Sequence, residues 1–354
     1  MPPPHQSPNR PRMLIIGCGF HHQVDARYRP LASWPCLLQR LADTLNLHPT
    51  ASLDHPTFFW EELILRAGEP GAFARKQANK IEQSLKKELV KLLNVEVAKE
   101  AAAYVGHPLL ASLAASFAKR PGHIMSLNFD PLILKVFAKC EKHRTVAAYG
   151  VKAKAQAQAA DYSSGNFGGC RVNDRTNLFR RESVFAHASH SLPTQVWFPH
   201  GAVKKADTLR LGFRDYGFQP IAYHQAFRTF KAWERKVLQN VTSGLSGTGR
   251  YEKVLAALRT MDQESHAKKR ARSSADHWVT RFMLSDVTII GAGLGPAETG
   301  LHWLIVQRER NLARIADSDR PQLRFISDEP PHNPFLKCHR DPPKGNWDKA
   351  WRKC

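Results

Sequence analysis

Apolar residues along the chain gather in short dense runs, and the stretches between them carry apolar residues at helical spacing. The first run, 13-MLIIGCGF-20, ends in Gly-x-Gly and reads as a buried strand followed by a tight turn where backbone can approach a phosphate. Four later runs have the same character. They are 124-IMSL-127, which leads into Asn-Phe-Asp-Pro; 194-TQVWFPHGAV-203, which delivers His200 and Gly201; 286-DVTIIGAGL-294, which ends again in Gly-x-Gly; and 322-QLRFIS-327. Between them, 33-SWPCLLQRLADTLNL-47 carries an apolar stripe of Leu37, Leu38, Leu41 and Leu45, with Ser33 as N-cap and Pro35 in the first turn. Residues 70–105 read as helical, with Ile81, Leu85, Leu89, Leu92 and Leu93 on one side and Lys and Glu on the other. Further helices are predicted over 109–118, 131–143, 223–241 and 297–315, the penultimate one on Phe227, Phe230, Trp233 and Val237.

Strands alternating with helices predict an α/β fold, a Rossmann-like parallel sheet with helices on both faces. A helical insertion forming a small subdomain is expected over about 50–120. Periodicity is lost over 149–192, which reads as an irregular insertion. The domain spans 13–327, between a disordered basic tail over 1–12 and a proline-rich basic tail over 328–354. No repeat of fixed period is present, so a solenoid is not expected.

Composition changes this picture in two ways. The 354-residue chain is ordinary in hydrophobic content (42%), but its formal net charge is +21 and its pI is near 10.0. That balance attracts polyanions and leaves nucleic acid open as a partner, without defining a site. The basic run 268-KKRAR-272 reads as a solvated loop. Six cysteines contain no C-x-x-C pair, which argues against a structural zinc site and a dense disulfide framework, so no metal is expected and a reduced, cytoplasmic setting fits. The polar start lacks a signal peptide pattern, and 287–306 is broken by Gly, Pro and Glu, so neither export nor a membrane span is expected.

The chemistry-bearing residues fall at strand ends, where open α/β folds bind ligands. In chain order these are Gly17-Cys18-Gly19-Phe20, Asn128-Phe129-Asp130, His200-Gly201 and Gly291-Ala292-Gly293-Leu294. Two glycine turns accommodate a pyrophosphate, while an amide, a carboxylate and an imidazole handle ribose hydroxyls, water and a proton. Each residue also has a bland reading. Asn128 is an acceptable turn residue. Asp130 before Pro131 is an acceptable helix cap, His200 an ordinary buried histidine, and the glycines a means of close packing. Neither glycine motif is a full dinucleotide fingerprint, since 17-GCGFHH-22 lacks the third glycine and 291-GAGLGP-296 displaces it by one position.

As an ordered set the motifs resemble the sirtuin-like family, especially its bacterial NAD-consuming branch found in antiphage defence. The family's Gly-x-Gly-hydrophobic strand end resembles 16-IGCGF-20, its Trp-x-x-Leu-Leu helix resembles 34-WPCLL-38, and its Thr-Asn-Tyr-Asp strand end is similar to 127-LNFD-130. Its His-Gly pair resembles 200-HG-201, and its late Gly-x-Ser/Gly-Leu segment before an acidic residue resembles 291-GAGLGPAE-298. The resemblance implies NAD+ as substrate, with Asn128 orienting the nicotinamide ribose or the attacking water and His200 acting as base or ribose contact. It further implies that Asp130 holds the nicotinamide side of the pocket, and that the glycine turns with Cys18, Phe20 and Leu294 bind the dinucleotide. The zinc module with two C-x-x-C pairs and the Gly-Ile-Pro-Asp-Phe-Arg loop of deacylating sirtuins are absent from the sequence, which favours hydrolysis of NAD+ itself. Phe129 stands where the family has Tyr, and Ser126-Leu127 where it often has Thr-Thr.

The expected function is therefore an NAD+ glycohydrolase that releases nicotinamide and ADP-ribose as an NAD-depleting effector in bacterial antiviral defence. Activation would come from homo-oligomerisation or from a separately encoded ATPase, helicase or Argonaute-type partner. The alternatives are a non-catalytic nucleotide- and nucleic-acid-binding module, or an NAD-dependent ADP-ribosyltransferase or deacylase.

Overall fold

Strand β1 (Arg12–Ile16) is buried along its whole length, as expected of a strand covered on both faces. The computed structural model describes residues 10–24, 34–68, 75–130, 132–137, 181–184, 194–202, 206–239, 244–267, 274–292, 294 and 298–326. Strands β2 (His123–Ser126), β4 (Thr194–Trp197), β5 (Asp286–Ile290) and β6 (Leu323–Ile326) run parallel with β1, and β3 (Arg181–Val184) pairs antiparallel with β4. The six-stranded order is β3-β4-β2-β1-β5-β6. From β1 the chain first builds outward through β2 to β4, then returns and builds the other way through β5 to β6. The reversal falls between β1 and β5, which pair from Arg12↔Asp286 to Ile16↔Ile290, and such a switch point opens a crevice at the strands' carboxyl ends.

Side chains alternating along each strand serve two cores. Leu14, Ile16, Ile124, Val196, Ile290 and Ile326 face one layer; Met13, Ile15, Met125, Trp197, Ile289 and Phe325 face the other. The first layer holds α2 (Trp34–Thr44), α3 (Pro56–Arg66), α4 (Arg75–Gly106) and α5 (Pro108–Lys119). The helical insertion expected over 50–120 thus corresponds to α3–α5, which bury Trp60, Leu89 and Leu113 in the same core as the sheet. The second layer holds α6 (Phe213–Leu238), α7 (Gly247–Ala267), α8 (Trp278–Leu284) and α9 (Thr299–Leu312). Buried cations pin this layer. Arg281 of α8 reaches Asp262 and Asp276, and Arg308 of α9 donates to the carbonyls of Phe282 and Ser285 at 3.0 and 2.8 Å. Removing one member of such a buried set would leave an uncompensated charge.

Several elements differ from the sequence reading. Helix α1 (Cys18–Val24) begins directly after Gly17, where only a turn and a dozen further residues before the next helix were expected. Helix α6 begins at Phe213, ten residues ahead of the expected start, and carries Pro220 in its interior. A proline ring blocks one helical hydrogen bond; packing against α8 and α9 keeps the helix continuous through it. Strand β3 lies within the stretch read as irregular. The rest of that stretch, residues 1–9, the 268–272 run, Gly293 and the tail beyond 326 lie outside the described residues.

The two glycine turns touch backbone to backbone. Gly17 N–H donates to Ile290 O at 3.0 Å and Gly19 N–H to Gly291 O at 2.8 Å. Gly291 has φ +60, and a Cβ there would lie 2.0 Å from the amide nitrogen of Phe20. Gly217, an exposed residue within α6, has nothing within 4 Å of its would-be Cβ. Substitution at the two positions should therefore act in opposite directions in urea denaturation. Gly291→Ala should cost more than about 2 kcal/mol through clash and left-handed strain, while Gly217→Ala should gain about 0.5–1 kcal/mol.

Candidate functional site at the switch point

The end of β2 is drawn across to the first glycine turn. Leu127 N–H extends the ladder to Ile16 O at 2.9 Å, and Asn128 N–H donates to Ser126 Oγ at 3.2 Å. Asn128 Nδ2 then donates to Gly17 O at 3.2 Å. The amide is thereby fixed over the turn, and among the described residues nothing takes up its Oδ1.

His21, one turn into α1, joins these pieces. Its Nε2 lies 3.0 Å from Asp130 Oδ2 and 2.9 Å from Asn128 Nδ2, and its Nδ1 meets the hydroxyl of Tyr104 on α4. An ionised carboxylate only accepts, so the Nε2 proton points to Asp130. Asp130 Oδ1 accepts Leu132 N–H at 3.0 Å, capping the helical residues 132–137. Asp130 therefore both caps a helix and holds the pocket wall. Burial alone would raise its pKa. The charge and hydrogen bond of His21, with the Leu132 amide, outweigh that and hold it below the ordinary 3.8.

His200 follows β4 and is pinned through its own carbonyl, which accepts Arg210 N–H at 2.9 Å. The next residue needs no side chain: Gly201 has φ +91, and a Cβ would lie 2.1 Å from Thr208 O. The imidazole stacks on Tyr216 with ring centres 5.5 Å apart. Its Nδ1 is 3.3 Å from both Tyr216 Oη and Gln219 Nε2, and its Nε2 is 3.5 Å from Glu298 Oε1. Phe129 links the two halves of the site. Its ring meets His200 edge-on at 6.5 Å and Trp34 at 5.3 Å, and Trp34 in turn meets Tyr216 at 5.6 Å.

The remaining expected residues rim this arrangement. Phe20 is buried in the first core. Cys18 opens α1 with its side chain reaching solvent, yet the protein packed around the sulfur pushes its pKa above 9.0 against the Gly19 amide, and the negative charge of Glu298 adds to the rise. The thiol is not an activated nucleophile. Leu294 is buried with φ +43, a strained conformation for a branched side chain, and its carbonyl accepts from His302 Nε2 at 2.8 Å. Tyr216 and Tyr223 are pushed well above 10.0, by burial first and by Glu298 second.

Gly17, Cys18, Gly19, Asn128, Asp130 and Gly291 thus come together at the switch point, with His200 joined through Phe129. His21, Tyr104, Tyr216, Gln219 and Glu298 were not singled out by sequence. His21 sits inside the quoted 17-GCGFHH-22 and Glu298 ends the quoted 291-GAGLGPAE-298. Tyr216 and Gln219, three residues apart on one helical face, lie ahead of the expected start of α6.

A recess of about 30 Å³ lies at the opposite end of the strands, lined by Arg12, Ser116, Arg120, Thr288 and Arg324 among others. Arg12 there donates to Ser116 Oγ at 3.0 Å and Ser116 O at 2.7 Å, capping the end of α5, and stacks over Phe117. Its guanidinium is structural. Among the described residues no three His, Cys, Asp or Glu side chains gather as metal ligands, and no helix is long and apolar enough to cross a membrane.

Fold and site define an α/β protein of Rossmann-like topology with a polar cluster at its topological switch point. Comparison with protein-family models, with curated proteins and with solved structures gave no match.

The lowered pKa of Asp130 sets the sign of a pH effect. A carboxylate held below its unfolded value stabilises the fold above that value, and the contribution is lost as pH falls through the folded pKa. Asp130→Asn should be less stable than wild type by about 1–3 kcal/mol at pH 7, and urea titrations should show the gap closing below pH 3.8.

Proposed function

We propose that this chain is an NAD+ glycohydrolase, cleaving the bond between nicotinamide and ribose with water to give ADP-ribose and free nicotinamide. The observation that carries the reading is the fixed Asn128 amide, bound to the Gly17 carbonyl at the switch point and joined to His200 through Phe129. The reaction asks little acid of the protein, because the nicotinamide ring is already cationic and leaves as a neutral molecule. It asks instead for a positioned water and for stabilisation of an oxocarbenium-like sugar as the bond opens. A fixed amide whose Oδ1 is not taken up among the described residues, with the Asp130 carboxylate on the same histidine, suits both needs.

The resemblance of the strand-end motifs to NAD-consuming sirtuin-like proteins supports the same reading. It extends it to a cytoplasmic effector that depletes NAD in antiviral defence. Such an enzyme has to be restrained until triggered, so an oligomer or a separately encoded ATPase, helicase or Argonaute-type partner belongs to the proposal. The net charge of +21 favours a second reading, a nucleotide-binding module that engages nucleic acid.

Incubating the purified chain with NAD+ and following nicotinamide release by chromatography tests the proposal. Wild type should release nicotinamide, and Asn128→Ala should lower the rate by about 100-fold or more while remaining folded. No release by the chain in any oligomeric state, together with salt-sensitive nucleic-acid binding that Asn128→Ala leaves unchanged, would establish the second reading instead.

A further inference from the structure

The two carboxylates of the site are differently placed. Asp130 is buried with both oxygens engaged, one by His21 and one by the Leu132 amide. Glu298 keeps 18% of its side chain in solvent, and among the described residues its ion-pair contact is the one between its Oε1 and His200 Nε2, at 3.5 Å. It occupies the N-cap position of α9 without capping it. That position ordinarily takes a short Ser, Thr, Asp or Asn whose oxygen bonds the first free amides, so this side chain is committed to the pocket and not to its helix. Its charge bears on Cys18 of α1 and on Tyr216 and Tyr223 of α6, which places it between those elements.

His200 is only 2% exposed, and hydrogen-bond direction fixes its tautomer. Gln219 Nε2 can only donate, so Nδ1 is an acceptor whose lone pair is covered by Gln219 and Tyr216. The ring proton is then on Nε2, the nitrogen 3.5 Å from Glu298 Oε1. An imidazole arranged in this way has no free lone pair for a proton from water. Glu298 has one, and it has the path to solvent.

We propose that Glu298 is the proton acceptor of the site and that His200 is the positioning residue that orients it. The inference rests on the NAD+-hydrolysis reading. As water forms the new bond to C1′, the C1′–N bond breaks and its electron pair leaves with nicotinamide, which becomes neutral. The proton released from water passes to Glu298 and from there to solvent. NAD+ and water are converted to ADP-ribose, nicotinamide and one proton, with no oxidant or reductant involved.

The test compares wild type, Glu298→Gln and Glu298→Ala in nicotinamide release, with ADP-ribose binding measured by calorimetry on the same preparations. Glu298→Gln should lose about 10²–10⁴ in kcat, with affinity for ADP-ribose held within about threefold. Formate or azide should restore part of the turnover of Glu298→Ala. A second readout is independent of turnover: removing the charge beside Cys18 lowers its pKa, so Glu298→Gln should speed alkylation of Cys18 while leaving the exposed Cys36 unchanged. An active wild type with Glu298→Gln turning over at the same rate overturns the role of Glu298 alone. A parallel collapse of ADP-ribose affinity without rescue also overturns it, marking a structural residue. A wild type that releases no nicotinamide brings down the functional reading, and the proposed role of Glu298 falls with it.

Discussion

Everything at the site depends on a contact between two pieces of backbone. Where β1 and β5 leave the sheet, Gly17 and Gly19 donate to the carbonyls of Ile290 and Gly291 at 3.0 and 2.8 Å. That spacing leaves no room for side chains: a Cβ on Gly17 would meet the Ala292 Cα and the Gly291 oxygen at 2.5 Å. The glycines expected to cradle a phosphate therefore first close the switch point itself. By doing so they set the angle at which α1 leaves the sheet, and α1 carries His21.

His21 turns this backbone junction into a polar site. It lies a single turn beyond Gly17, close enough to reach both Asn128 and Asp130 at the end of the neighbouring strand. Tyr104 from α4 fixes the other ring nitrogen, so the layer that covers one face of the sheet also sets the protonation geometry at its edge. The opposite layer does the same for His200, through Tyr216 and Gln219 of α6 and Glu298 at the start of α9. Each of the two histidines is thus oriented by a different layer, and Phe129, which lies between Asn128 and Asp130 in sequence, meets His200 edge-on with its ring. Buried polar groups arranged in this way polarise one another through the hydrogen bonds they share.

The parallel strands were legible because a strand covered on both faces must be apolar without alternation, as in 13-MLII-16 and 287-VTII-290. The strand-end residues were legible for the same reason, since a polar residue directly after such a run is conspicuous. Helix α8 was not, because all seven of its residues are buried, Thr280 and Arg281 included, and a helix buried on every side has no amphipathic period to find. Helix α7 did offer a period in Tyr251, Val254, Leu255, Leu258 and Met261, which the sequence reading left unassigned. The early start of α6 hid behind Pro220, and with it went Tyr216 and Gln219. Glu298 and His21 were in view but unassigned, because what distinguishes them is their partners, and those lie 98 and 109 residues away in sequence.

The charge distribution bears on what such a site can hold. The chain as a whole is strongly basic, so its field draws in a polyanion such as a dinucleotide from solution. At the switch point the balance reverses. Asp130 is kept ionised against His21, and Glu298 keeps part of its side chain in solvent, so two carboxylates adjoin an otherwise apolar wall of Phe129, Trp34 and Tyr216. A low-dielectric wall strengthens the field of those carboxylates. An anionic pyrophosphate is disfavoured there, while a cationic aromatic ring is favoured, both by charge and by stacking. A ligand that is anionic in its middle and cationic at one end can satisfy both the global and the local field only in one orientation, with its cationic ring at the carboxylates. NAD+, the substrate we propose, is built in this way, and on that proposal its orientation would be imposed before any specific hydrogen bond forms.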